Sequence, residues 1–163
     1  MGLLKYDHPP LLAPGRHYLS LQEIETLCVH PFDGAARSCR EKLLQKLLVA
    51  RIRCDAFIDG SFLTEKPTPD DVDVFVATEF GVFDSLSEEQ HQLLDSINIE
   101  PRLVPLVDGW AVTTYPRDHE RFGTVCDGGN PGEGFGIEHG QNWLKGYIVV
   151  RLWETDVRNR LCR

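Results

Sequence analysis

No stretch of the 163-residue chain approaches the roughly 18 to 20 uninterrupted apolar residues that a membrane span requires, and the segment after Met1 lacks the charged-then-apolar order of a signal peptide. A cytoplasmic protein with no membrane contact is the expectation. Cysteine is irregularly placed. Cys28, Cys39, Cys54, Cys126 and Cys162 form an odd set with uneven gaps, which fits neither a disulfide framework nor a paired zinc motif, so buried free thiols are expected. Positive charge is also short. Seventeen Lys and Arg against 25 Asp and Glu leave a net charge of −8, which excludes a general basic coat for gripping nucleic acid. No run of Lys and Arg lies among Trp110, Trp143 and Trp153, which are therefore read as core residues rather than base-stacking platforms. Gly128, Gly129, Gly132, Gly134 and Gly136 are not followed by Lys-Ser or Lys-Thr, which argues against a phosphate-cradling P-loop and for a mobile loop.

What is present is the composition of a folded domain, 42% hydrophobic and 26% charged, with no internal repeat. One domain over 1–163 is expected, carrying an N-terminal extended arm (1–19) in which Pro9, Pro10 and Pro14-Gly15 forbid a helix. Ser20 and Glu23 form a capping box, and Leu21, Ile24, Leu27 and Cys28 recur at helical spacing, predicting a helix over 21–29. From Asp33 onward Ala36, Cys39, Leu43, Leu44, Leu47 and Leu48 mark the apolar face of a second helix. Arg37, Arg40, Lys42 and Lys46 fill its other face, read as solvated.

Strands are predicted over 54–59, ending at Gly60-Ser61, and over 72–76, where Val72, Val74 and Val76 alternate with Asp71, Asp73 and Phe75. Ser87 and Gln90 open a further helix through Leu93, Leu94 and Ile97, and strands follow over 107–114 and 147–153. The fold class is α+β, a small mixed sheet flanked by helices. His17 and His30 have no ligand spacing to another His or Cys and are read as surface or packing residues.

Charge is unevenly distributed. Residues 55–100 hold twelve acids and a single Lys or Arg, Lys66, so ion pairing within the segment cannot neutralise it. Much of this charge belongs to solvated loops and helix faces. Asp71 and Asp73 differ, because residues two apart on a strand point the same way and sit only about 7 Å apart along the backbone. Two carboxylates brought within about 5 Å repel by roughly 3 kcal/mol at an effective dielectric of 20, unless a proton or cation offsets the charge. A hard divalent ion such as Mg²⁺, with Mn²⁺ as its substitute, is held by one or two carboxylates together with substrate phosphates. Ten residues earlier, Gly60 would let backbone amides approach a phosphate oxygen, to which the Ser61 hydroxyl can donate.

The run Gly60-Ser61-Phe62, Thr64, Lys66-Pro67 and Pro69-Asp70-Asp71-Val72-Asp73 resembles the Gly-Ser and Asp-x-Asp motifs of the polymerase-β-like nucleotidyltransferase superfamily, and within it a small bacterial family of uncharacterised nucleotidyltransferase-like proteins. Leu12-Ala13-Pro14-Gly15-Arg16-His17, Tyr115-Pro116 and Lys145-Gly146 extend the likeness over most of the chain. The resemblance implies a minimal nucleotidyltransferase fold in which Asp71 and Asp73 hold metal and Gly60 and Ser61 hold a nucleoside triphosphate, with Thr64 and Lys66 as further phosphate partners. A third carboxylate on a neighbouring strand is also implied. Asp108 is its best counterpart, as metal ligand and activator of the acceptor hydroxyl, with Asp118 and Glu120 in competition.

The activity implied is transfer of a nucleoside monophosphate to an unknown hydroxyl on a protein or RNA. A partner protein or second copy would complete so small an enzyme, as in toxin–antitoxin modules. The alternative is a non-catalytic nucleotide-binding or interaction module of a toxin–antitoxin or defence system. Without metal, neutralising Asp71 or Asp73 should leave the melting temperature unchanged or raise it, and a large drop would instead mark these acids as structural, paired with hidden cations such as Arg102 or Arg117.

Overall fold

Val72, Val74 and Val76 are fully buried while Asp73, Phe75 and Ala77 between them are partly exposed, which fixes one face of a strand on the core. The computed structural model describes residues 8–32, 35–122, 135, 136 and 145–152. Its strands are β1 (Gly15–Tyr18), β2 (Cys54–Asp59), β3 (Val72–Glu79), β4 (Val107–Thr114) and β5 (Gly146–Leu152). They form one sheet in the order β1-β5-β2-β3-β4. The sheet is mixed: β2 runs antiparallel to both β3 and β5, whereas β1 with β5 and β3 with β4 are parallel.

The helices are α1 (Leu21–Ile24), continued by a wider π-helical turn (Glu25–Val29), α2 (Ala35–Val49), α3 (Phe80–Phe83) and α4 (Glu88–Ile97). Both predicted capping boxes form. Ser20 accepts from the Glu23 amide and Ser87 from the Gln90 amide, and each partner's side chain reaches back to the cap. Ile24, Cys28, Leu43, Leu44, Leu47, Leu94 and Ile97 pack on the sheet face that carries Val72, Val74, Ile58, Ile148 and Val150. Each such side chain removed from water contributes about 1.5–3 kcal/mol, which holds the helices to that face. Gly109 points toward them: a Cβ there would come within 2.9 Å of Ile97 Cγ2, so the glycine lets α4 close on β4. The α+β class expected from the sequence is the one observed.

The arm contributes more than a strap. Residues 15–18 of it are an edge strand in register with 146–149, so the Gly15-Arg16-His17 and Lys145-Gly146 motifs meet. A Cβ on Gly146 would lie 2.5 Å from both Ala13 O and Leu12 Cβ, so the approach requires glycine. At the opposite edge, Asn98 Nδ2 donates to Ala111 O at 3.0 Å while Ala111 N donates to Asn98 Oδ1 at 2.8 Å.

Two readings of the sequence are overturned. Arg37 is not on a solvated face but completely buried, and Trp110 is not core but 44% exposed. Lys42 and Lys46 are exposed as expected, and Cys28 and Cys54 are buried free thiols. His17 packs on Ala13 O, and the His30 side chain is largely exposed beside Glu25. Trp143, Trp153, Cys126, Cys162 and the glycines at 128–134 lie outside the described residues, as do the side chains of Cys39 and Arg40. Among the described residues no helix is long and apolar enough to cross a membrane.

Candidate active site

Strand register assembles the acids. Asp73 on β3 pairs with Asp59 on β2 on one side and with Asp108 on β4 on the other. Paired residues of neighbouring strands project to the same face, so Asp59, Asp73 and Asp108 form a row across three strands, with Asp71 just before β3. This face is opposite the one that receives Leu43 and Ile97. Phe57, Phe75, Trp110 and Tyr147 continue it along the sheet, and Phe135 lies edge-on to Phe75 and Tyr147.

Asp73 is the electrostatic centre. Burial pushes its carboxyl up to about 6, and the charges of Asp71, Asp59 and Asp108 push the same way against the opposing pull of Lys145. Among the described residues nothing donates a hydrogen bond to it. Asp59 is sunk deeper. Its Oδ1 lies 3.2 Å from Lys145 Nζ and its Oδ2 accepts from the Gly136 amide at 2.8 Å, with both side chains of the ion pair under a tenth exposed. Burial raises the Asp59 carboxyl, while Lys145 and the Gly136 amide oppose the shift. Lys145 Nζ also reaches Gly60 O at 3.4 Å, so one ammonium ties the end of β2 to β5.

Gly60 has φ +88° and ψ −171°, a conformation essentially confined to glycine. It leads into a short 3₁₀ turn (Ser61–Leu63), with Ser61 partly exposed at its start. The turn is braced from below by Arg37. Its Nη1 donates to Cys28 O at 2.7 Å and Phe62 O at 3.0 Å, and Nη2 donates to Thr64 O at 2.9 Å and to Lys66 O. The guanidinium also lies 3.7 Å from the centre of the Phe32 ring. Burial lowers its pKa, and the carbonyl oxygens hold the cation without a carboxylate among these contacts.

The expected site residues divide. Gly60, Ser61, Asp71, Asp73 and Asp108 gather at one end of the sheet. Asp108 is in register with Asp73, whereas Asp118 and Glu120 lie beyond the far end of β4. Thr64 faces inward. Its hydroxyl donates to Ser61 O at 2.7 Å, accepts from Lys66 N at 3.2 Å and is buried, so it shapes the turn rather than a phosphate pocket. Lys66 Nζ pairs with Asp70 Oδ2 at 2.7 Å on the surface.

Sequence reasoning missed Asp59, Arg37 and the place of Lys145. Asp59 carried a signal, since it precedes Gly60 and points away from the buried Ile58.

The donor set consists of hard carboxylate oxygens, which suits Mg²⁺ or Mn²⁺, and the bare Gly60 Cα leaves room for the inner carboxylate. Among the described residues, however, no three acidic, His or Cys side chains are grouped closely enough to hold an ion as they stand. Arg102 lies across the outer two, 3.4 Å from Asp108 Oδ2 and 3.8 Å from Asp71 Oδ2. These side chains are 34–38% exposed, so the arginine does not seal the site from solvent. Arg117 is exposed and makes no such contact.

Residues 4–151 match the model of a family of unknown function, DUF6932. No match was found among curated proteins or solved structures.

Proposed function

We propose that this chain, which belongs to the family of unknown function DUF6932, is a metal-dependent nucleotidyltransferase that moves a nucleoside monophosphate from a triphosphate to a hydroxyl on a protein or RNA. The observation that carries the reading is the position of Asp73. It stands in register between two further carboxylates and beside a positive-φ glycine, with no donor of its own among the described residues. Such an arrangement is electrostatically costly, and a bound cation would relieve it.

Asp71, Asp73 and Asp108 would hold Mg²⁺ or Mn²⁺, which when bound offsets charge on the phosphate oxygens. Gly60 and Ser61 would position the triphosphate through backbone amides and the hydroxyl. Asp108 would take the proton of the acceptor hydroxyl. The acceptor oxygen then bonds to the α-phosphorus as the bond to pyrophosphate breaks. A partner protein or a second copy would supply further contacts to the acceptor.

A second reading, a nucleotide-binding or interaction module without catalysis in a toxin–antitoxin or defence system, is favoured by one observation: Arg102 already neutralises part of the outer charge. Titration of Mn²⁺ with a nucleoside triphosphate present tests the site. Binding should depend on metal in the wild type and be lost in both Asp71→Asn and Asp73→Asn, and identical behaviour of all three proteins would remove the metal site and with it the enzyme. Transfer of labelled nucleotide to a panel of proteins and RNAs then separates enzyme from binder.

A further inference from the structure

Arg102 belongs to the loop between α4 and β4, whereas the carboxylates it faces are fixed by the sheet at and beside β3 and β4. Its guanidinium lies 3.4 Å from Asp108, 3.8 Å from Asp71 and 3.9 Å from Glu100 Oε1. No hydrogen bond accompanies these three contacts. A charge-assisted N–H···O bond would be about 2.7–2.9 Å, so the arginine is held by charge rather than by fitted geometry. Its side chain is 36% exposed, with solvent to move into. It also leaves the inner acid unserved, since Asp73 has no ion pair among the described residues. The acids are thus borne at and beside strands of the sheet, while the cation facing two of them sits on a long side chain of a loop.

On the metal-binding reading given above, we infer that Arg102 is a built-in competing counter-ion, which a divalent cation must displace from Asp71 and Asp108. The loop carrying Arg102 therefore sets the threshold at which the site takes up metal. Free of metal, the arginine lowers the repulsion among the acids and keeps them from collecting stray cations. Loaded, the side chain is released toward solvent.

Mn²⁺ binding to the full chain, followed by the electron paramagnetic resonance of free Mn²⁺ at low salt, tests this in the wild type and in Arg102→Gln and Arg102→Met. Both variants should bind Mn²⁺ about three- to tenfold more tightly, the range expected from losing two partly exposed ion pairs. Equal or weaker affinity in the variants, with the wild type still binding, would overturn the competition and leave the metal site standing. Absence of binding in all three proteins would overturn both.

A second measurement uses the wild type alone, in case a variant fails to fold. Phenylglyoxal labelling of Arg102, read by peptide mass, should accelerate at saturating Mn²⁺ as the guanidinium leaves its carboxylates. An unchanged labelling rate at saturation overturns the displacement.

Discussion

The carboxylate of Asp73 lies directly against the bare α-carbon of Gly60: a Cβ added at Gly60 would be 2.3 Å from Asp73 Oδ2. The glycine is thus required twice, for its φ of +88° and for the space. Gly60→Ala should destabilise the protein by about 2–4 kcal/mol in urea denaturation. Adding Asp73→Ala removes the clash but leaves the backbone strain, so the double variant should recover part of the loss. Strict additivity of the two substitutions would refute the contact.

Asp73 also makes stability depend on pH. Its folded-state value of about 6 lies above the ordinary 3.8, so its favourable contribution is complete below about pH 4 and is lost as pH rises through 6. Without metal, Asp73→Asn should therefore be more stable than the wild type at pH 7.5, by about 1–2 kcal/mol after allowance for solvent screening, and no more stable at pH 4. Thermal denaturation in chelator at the two pH values checks this. Asp71→Asn should do less, because it also gives up the contact with Arg102.

Arg37 should be among the most sensitive positions in the fold. Arg37→Met removes the donor to four carbonyl oxygens, three of them in buried contacts, and should lower stability by at least about 3 kcal/mol. Arg37→Lys keeps the charge but cannot reproduce a fork that reaches Cys28, Phe62, Thr64 and Lys66 together, and it should rescue little. Chemical denaturation of both variants gives the comparison.

The Asp59–Lys145 pair is buried on both sides, so Lys145→Met leaves a carboxylate without its ammonium and should be destabilising by about 3–5 kcal/mol. Lys145→Met combined with Asp59→Asn should be less damaging than the sum of the single changes. Equal and additive losses would mean that the two side chains do not depend on each other.

Much of the scaffold is written in short-range pattern. The valine alternation at 72–76, the Ser-x-x-Glu and Ser-x-x-Gln caps and the β-branched run at 107–114 each specify an element locally, and each appears where the pattern places it. The Asp71–Asp73 spacing was equally legible. The row of acids was not, because the partners of Asp73 are set by strand order and register, which depend on contacts remote in the chain. Arg37 misled through its charge rather than its position. On a helical wheel it falls between Leu44 and Leu48, seven and eleven residues on, and the distant 62–66 turn supplies carbonyls that accept from it inside. Trp110 could have been read better, since on β4 it shares the parity of Asp108 and opposes that of Gly109. β1 was hidden by the prolines of the arm, whose extended chain becomes a strand only when β5 lies beside it.

The side-chain amide of Asn98 engages both backbone groups of Ala111 on the outer side of β4. It acts as a one-residue imitation of a sixth strand. A bare border of this kind is where a foreign polypeptide could join and propagate a fibril. By occupying that position from within the same molecule, a single asparagine helps to keep the sheet finite.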